Sequence, residues 1–103
     1  MPVPPKTVQN NAKKGLEARD KAVPSKKGMT RVGLARANQL ARGDNISIST
    51  LKRMKSYLAR ARTYYDAAKE KGLKPEDSPA IQAYLGWGGV AAIAWVNSQL
   101  KNQ

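Results

Sequence analysis

The amino-acid sequence predicts an all-α fold: a compact single domain of four to five short helices behind an extended, proline-containing arm. Three observations carry this. Apolar residues between Thr50 and Lys71 recur at spacings of three and four, the period of one helix face. Helix start and stop residues bracket other segments, with Thr30 and Gly43 around one and Ser78 and Pro79 ahead of another. The one alternating stretch, Ile46 to Ser49, has no second strand in the chain to pair with. A chain of 103 residues has room for one core and not for two.

Pro2, Pro4 and Pro5 make residues 1–6 an arm that cannot enter a helix before Pro5, expected to be mobile or held by a partner. The single domain then covers 7–103. From Thr7, the positions Val8, Ala12 and Leu16 predict a first helix that Gly15 weakens and that ends ahead of Pro24. The run from Pro24 to Gly28 reads as a loop. Thr30 caps a second helix over 31–42, whose core face of Gly33, Ala37, Leu40 and Ala41 is small enough for close helix contact or for a dimer seam. A loop anchored by Ile46 and Ile48 leads to Ser49, the expected cap of a long third helix over 50–71. Its core stripe is Leu51, Met54, Leu58, Ala61, Tyr65 and Ala68, with Tyr57 and Tyr64 on the margin. Ser78 and Pro79 open a fourth helix over 79–86, behind the acids Glu76 and Asp77. Three glycines among residues 86–89 break it from a last helix over 90–101.

The chain carries 19 Lys and Arg against 7 acids, a net charge of +12, and divides that charge unevenly. Between Lys21 and Tyr65 eleven cations face one acid, Asp44, whereas Ser78 to Leu100 has no charged residue. Such an excess speaks of partners, phosphate polyanions or acidic surfaces, rather than of fold. The absence of Cys and His removes disulfides, thiolate sites, the commonest metal ligand and the commonest proton shuttle. The acids lie in contexts that read as solvated faces or caps, and Glu76 and Asp77, adjacent in sequence, point apart on a helix. Gly86, Gly88 and Gly89 follow no strand and precede no Lys-Ser/Thr pair, so they are not a phosphate loop. No enzyme, cofactor or metal centre is expected.

The sharpest functional reading is nucleic-acid binding. Lys52, Arg53, Lys55, Arg60 and Arg62 occupy the arc of the third helix opposite its apolar stripe, and Arg36 and Arg42 on the second helix extend the track. Two helices joined by a short turn, the second one basic, also match a helix-turn-helix loosely, with Ser49, Thr50, Lys52 and Arg53 in the reading position. The alternatives are a solvated surface or a protein partner, but mixed solvated faces contain acids and this one does not. Tyr57, Tyr64 and Tyr65 read as core and boundary residues before they read as stacking platforms. The apolar run 81–96 is short of the ~20 residues of a membrane-spanning helix, and membrane attachment is not expected. No secretory signal opens the chain.

The order Pro5, Val8, Asn11, Ala12, Gly15, Leu16, Arg19, then Thr30, Gly33, Arg36, Ala37, Leu40, Gly43, then Ser47, Thr50, Arg53, Met54, Tyr57, Arg60, and finally Trp87, Gly88, Gly89 and Trp95 resembles a small tailed-bacteriophage domain. That domain, found in cyanophages among others, occurs free-standing or beside prohead-protease and other head-associated regions. The resemblance spans nearly the whole chain and is most specific at Trp87, Gly88, Gly89 and Trp95. It implies a phage setting, host cytoplasm or virion, more firmly than a mechanism. Where the family commonly has Arg-His this chain has Arg60 and Ala61, and where an acid commonly follows the two glycines it has Val90. Both departures favour a binding role over an enzyme: nucleic acid, DNA before RNA, or else a capsid or scaffold surface, or a host protein to be inhibited. The Trp87 to Trp95 element reads as packing, with a ligand pocket between the two rings as its functional alternative.

Overall fold

The structure is a computed structural model that describes residues 2–101. It is all-α: α1 (Lys6–Lys21), α2 (Arg31–Arg42), α3 (Ile48–Glu70), α4 (Pro79–Gly86) and α5 (Gly89–Lys101), with 3-10 turns at Pro24–Lys26 and Pro75–Asp77. No helix is long and apolar enough to cross a membrane among the described residues.

The arm is extended but not detached. Pro4 is fully buried, the Gln9 side chain donates to its carbonyl at 2.7 Å, and Ile46 N–H donates to the Pro2 carbonyl at 2.8 Å. A proline has no N–H to satisfy, so it can enter the core once its carbonyl is paired. The arm expected to be mobile or held by a partner is instead docked on its own domain, and α1 starts at Lys6. On α1 the buried face is Val8, Ala12, Gly15 and Ala18, while Leu16 is only half-buried. The residue that weakens the helix is the one its packing needs: a Cβ on Gly15 would lie 2.7 Å from both the Gln82 carbonyl oxygen and the Gly86 nitrogen of α4.

Helix α2 follows its sequence signals, with Thr30 Oγ1 accepting from Gly33 N–H at 3.1 Å and Gly43 closing it at φ 75°. Gly33 and Ala37 face Trp87 and Gly86 of the same chain, so the small-residue face is occupied internally and is not left free as a dimer seam. Helix α3 begins two residues before the expected start. Ser47, not Ser49, is its cap, accepting from Thr50 N–H at 3.2 Å, and Ile48 lies within the first turn. Leu51, Met54, Leu58 and Ala68 are buried and Ala61 and Tyr65 half-buried, as the stripe predicts. Ser78, 2 % exposed, caps α4 by accepting from Ile81 N–H at 3.1 Å.

Helix α4 is the hub. It packs extensively against α1, α2, α3 and α5, which explains why so short a helix is uncharged on every side. Its Gln82, fully buried, accepts from Gly28 N–H at 2.7 Å and donates to the carbonyls of Lys26 at 2.9 Å and Pro75 at 3.0 Å. One amide thereby ties two loops to the core. The core itself joins Val8 and Ala12 of α1, Leu40, Ile46, the α3 stripe, Tyr84, Trp87, Ala92 and Val96.

Candidate nucleic-acid interface

The site is built from the turn between α4 and α5. Trp87 ends α4, and Gly88 and Gly89 follow at φ 105° and 67°, a conformation that side chains rarely adopt. The Asn11 amide donates to the Gly88 carbonyl at 2.9 Å and locks the turn to α1. Asn11 and Gly88, far apart in sequence, therefore act as one element.

The turn presents Trp87 to α2 and α3. Tyr57 stacks on it with ring centroids 4.5 Å apart and planes 15° from parallel, and the Arg36 guanidinium lies 5.7 Å from its ring centroid. Arg36 also donates from Nη1 to Gln39 Oε1, but its Nε is buried without a partner. Burial, and then the charge of Arg53, push the Arg36 guanidinium below its ordinary range. This cation has an aromatic face and an amide beside it but no carboxylate.

Lys52, Arg53, Ser56, Tyr57, Arg60 and Trp87 line an open groove of about 380 Å³ next to it. A second concavity of about 290 Å³ continues along α3, lined by Tyr57, Arg60, Ala61, Tyr64 and Ala80. Tyr57 and Arg60 belong to both. Neither has an acid in its wall. Burial raises the Tyr57 hydroxyl above the usual tyrosine range, so the ring stays neutral in the groove near neutral pH.

The seven expected cations do not form one patch. Arg36, Lys52, Arg53 and Arg60 converge on the Trp87–Tyr57 stack. Arg42 turns away to pair with Asp44 at 2.9 Å, and Arg62 pairs with Asp66 one turn on at 3.0 Å. Lys55 and Arg62 rim a separate groove of about 270 Å³ between α3 and α5, with Leu58, Ala59, Ile93, Val96 and Asn97. At ~100° per residue, Arg53 and Arg60 fall on one flank of α3 and Lys55 and Arg62 on the other, with Lys52 between. A charge count along the helix cannot show which neighbouring helix each flank meets.

Of the expected helix-turn-helix reading residues, Lys52 and Arg53 line the groove, whereas Ser49 and Thr50 are taken up in the helix cap. The Ser47 hydroxyl lies 3.2 Å from that of Ser49 and donates to Thr50 Oγ1 at 2.9 Å, so the first turn of α3 is engaged in its own cap, and Asp44 places a carboxylate on the connecting turn. The tyrosines separate. Tyr65 stacks on buried Tyr84 at 4.4 Å and is core, whereas Tyr64 is 70 % exposed. The two tryptophans part as well, Trp87 toward Tyr57 and Arg36, and Trp95 half-buried against the core from α5. Trp87 and Ser56 were not legible as groove residues, because nothing in a linear pattern places the α4–α5 turn beside α3. No group of three or more His, Cys, Asp or Glu that could hold a metal ion occurs among the described residues. No protein-family model matches the chain, and neither a curated protein nor a solved structure is found similar to it.

Proposed function

We propose that this chain is a small non-enzymatic protein that binds nucleic acid by its phosphates, in the groove lined by Lys52, Arg53 and Arg60, with Arg36 beside it against Trp87. The observation that carries the reading is convergence without compensation: three cations, Lys52, Arg53 and Arg60, line one groove with Tyr57 and Trp87 and no acid in its wall, and a fourth, Arg36, lies over the Trp87 ring. Guanidinium forks grip phosphate oxygens bidentately, and Lys52 and the Ser56 hydroxyl add single donors. The phage resemblance makes DNA the first polymer to test, and a host cytoplasm or virion the setting.

The test is binding of a fluorescently labelled oligonucleotide followed by anisotropy across a salt series. Contacts to three or four phosphates give a slope of log K against log salt between about −2 and −4. Arg53→Ala combined with Arg60→Ala weakens binding and flattens that slope, while Arg42→Ala leaves both unchanged. Undetectable binding at low salt, or binding indifferent to salt, overturns the proposal.

A second reading has one observation in its favour, the apolar groove between α3 and α5 with Lys55 and Arg62 at its rim. An acidic capsid or scaffold surface that inserts an apolar side chain would fit there. Co-sedimentation of the protein with assembled phage heads, lost on Ile93→Asp, is the result that supports it.

A further inference from the structure

We infer that the groove takes single-stranded rather than duplex nucleic acid, with a base stacked on Tyr64 and phosphates held by Lys52, Arg53 and Arg60. The inference rests on the nucleic-acid reading above and names the form of the polymer.

The first ground is the order of side chains along α3. Arg53, Tyr57, Arg60 and Tyr64 follow one another at spacings of four, three and four, so they make a single row on one side of the helix. Cation and aromatic alternate in that row. At 1.5 Å rise per residue it runs about 16 Å, the length of about five nucleotides in a stacked strand at 3.4 Å each. The two concavities adjoin along the row, sharing Tyr57 and Arg60 in their walls.

The second ground is Tyr64. It is 70 % exposed, while its neighbour Tyr65 already supplies the aromatic contact that the core uses, against Tyr84. The fold does not need the Tyr64 ring. Around it stand Ala61 and Ala80, small side chains that leave a slot beside the ring instead of covering it. A nucleobase is a flat, polarizable partner of suitable shape for such a slot, and stacking on aromatic side chains tolerates any base because every base has a π-face.

The third ground is what a duplex can offer. Its bases expose only their edges in the grooves, their faces being used in their own stack, so a row of aromatic faces between cations has nothing to grip. A single strand offers phosphates and base faces in alternation, which matches the row. Discrimination of DNA from RNA is left to the 2′-hydroxyl, and both polymers are arms of the test.

The experiment measures the affinity of the full chain for one single-stranded DNA, the same sequence annealed to its complement, its single-stranded RNA equivalent, and a strand of the same length carrying abasic sites. The normal single strand is expected to bind at least tenfold more tightly than the duplex and than the abasic strand. Tyr64→Ala is expected to lower single-strand affinity about tenfold. It leaves duplex and abasic binding unchanged, and Tyr64→Phe restores the affinity. Because the ring is exposed, Tyr64→Ala should melt within about 2 °C of the parent, which separates loss of stacking from loss of fold. Equal affinity for single strand and duplex, or a Tyr64→Ala effect that is absent or equal on every probe, overturns the inference. If Arg53→Ala with Arg60→Ala still weakens binding in that outcome, the phosphate reading survives. If those substitutions also change nothing, it falls too.

Discussion

Single atoms decide several positions in this chain against the usual propensities. Alanine is worth about 1 kcal/mol more than glycine inside a helix, so Gly15→Ala should stabilise a solvated helix. Here the added carbon meets backbone of α4 at 2.7 Å on two sides, and neither helix can yield without the other. Thermal denaturation followed by circular dichroism is expected to show Gly15→Ala destabilised by about 2 kcal/mol or more. Gln82→Leu is comparable in size and different in cause. It keeps the volume but removes the partner of the Gly28 N–H and of the Lys26 and Pro75 carbonyls, which lie part-way to solvent, and is expected to cost about 1–3 kcal/mol in total. Tyr57 and Tyr84 add a dependence on pH. Burial raises both hydroxyls, so the folded chain holds their protons more firmly than the unfolded chain does. The stability they contribute is complete below the ordinary tyrosine value of about 10 and is lost as pH rises through their folded values. Melting temperature measured across that range should fall, and fall less in Tyr57→Phe, which keeps the stack on Trp87 and removes the proton.

At the scale of helices, cap chemistry was the most legible part of the sequence, and it erred where two candidates stood side by side. Thr30, Gly43, Ser78 and Pro79 mark their helix ends as expected, because each signal is local. Ser47 and Ser49 both precede the α3 stripe, and the choice went to the one whose hydroxyl meets the N–H three residues on. Ser47→Ala is therefore expected to cost about 1 kcal/mol in equilibrium denaturation, with Ser49→Ala near neutral. The basic arc of α3 was legible as a composition and illegible as a surface. Helical periodicity places Arg53 and Arg60 apart from Lys55 and Arg62 on the cylinder, but only the packed position of α2, α4 and α5 shows that one pair borders an aromatic groove and the other an apolar one. The same limit explains the arm. Three prolines forbid a helix, yet the carbonyl partners that dock it, Gln9 and Ile46, answer to tertiary placement.

For the molecule as a whole, a charge of +12 sits on a domain whose described residues make two ion pairs, both exposed. Self-repulsion of that kind is screened within about 10 Å at 0.1 M salt. Melting temperature should accordingly rise with added salt over the range in which the proposed nucleic-acid binding weakens, two opposite trends readable in one buffer series. A melting temperature that drops with salt would locate the stabilising charges in pairs instead of in repulsion.

The central place of α4 has one more consequence, in the order of events. The contacts that fasten α1 to the α4 side of the fold join residues as distant as Asn11 and Gly88, 77 positions apart. Local structure can form early, but α1, α2 and α3 have no hub until α4 has been synthesised, and closing such long loops precedes the contacts that reward it. During that interval α3 emerges with its cations ahead of α4 and α5, the helices it packs against, so polyanions in the surrounding solution meet this face before the core behind it is complete.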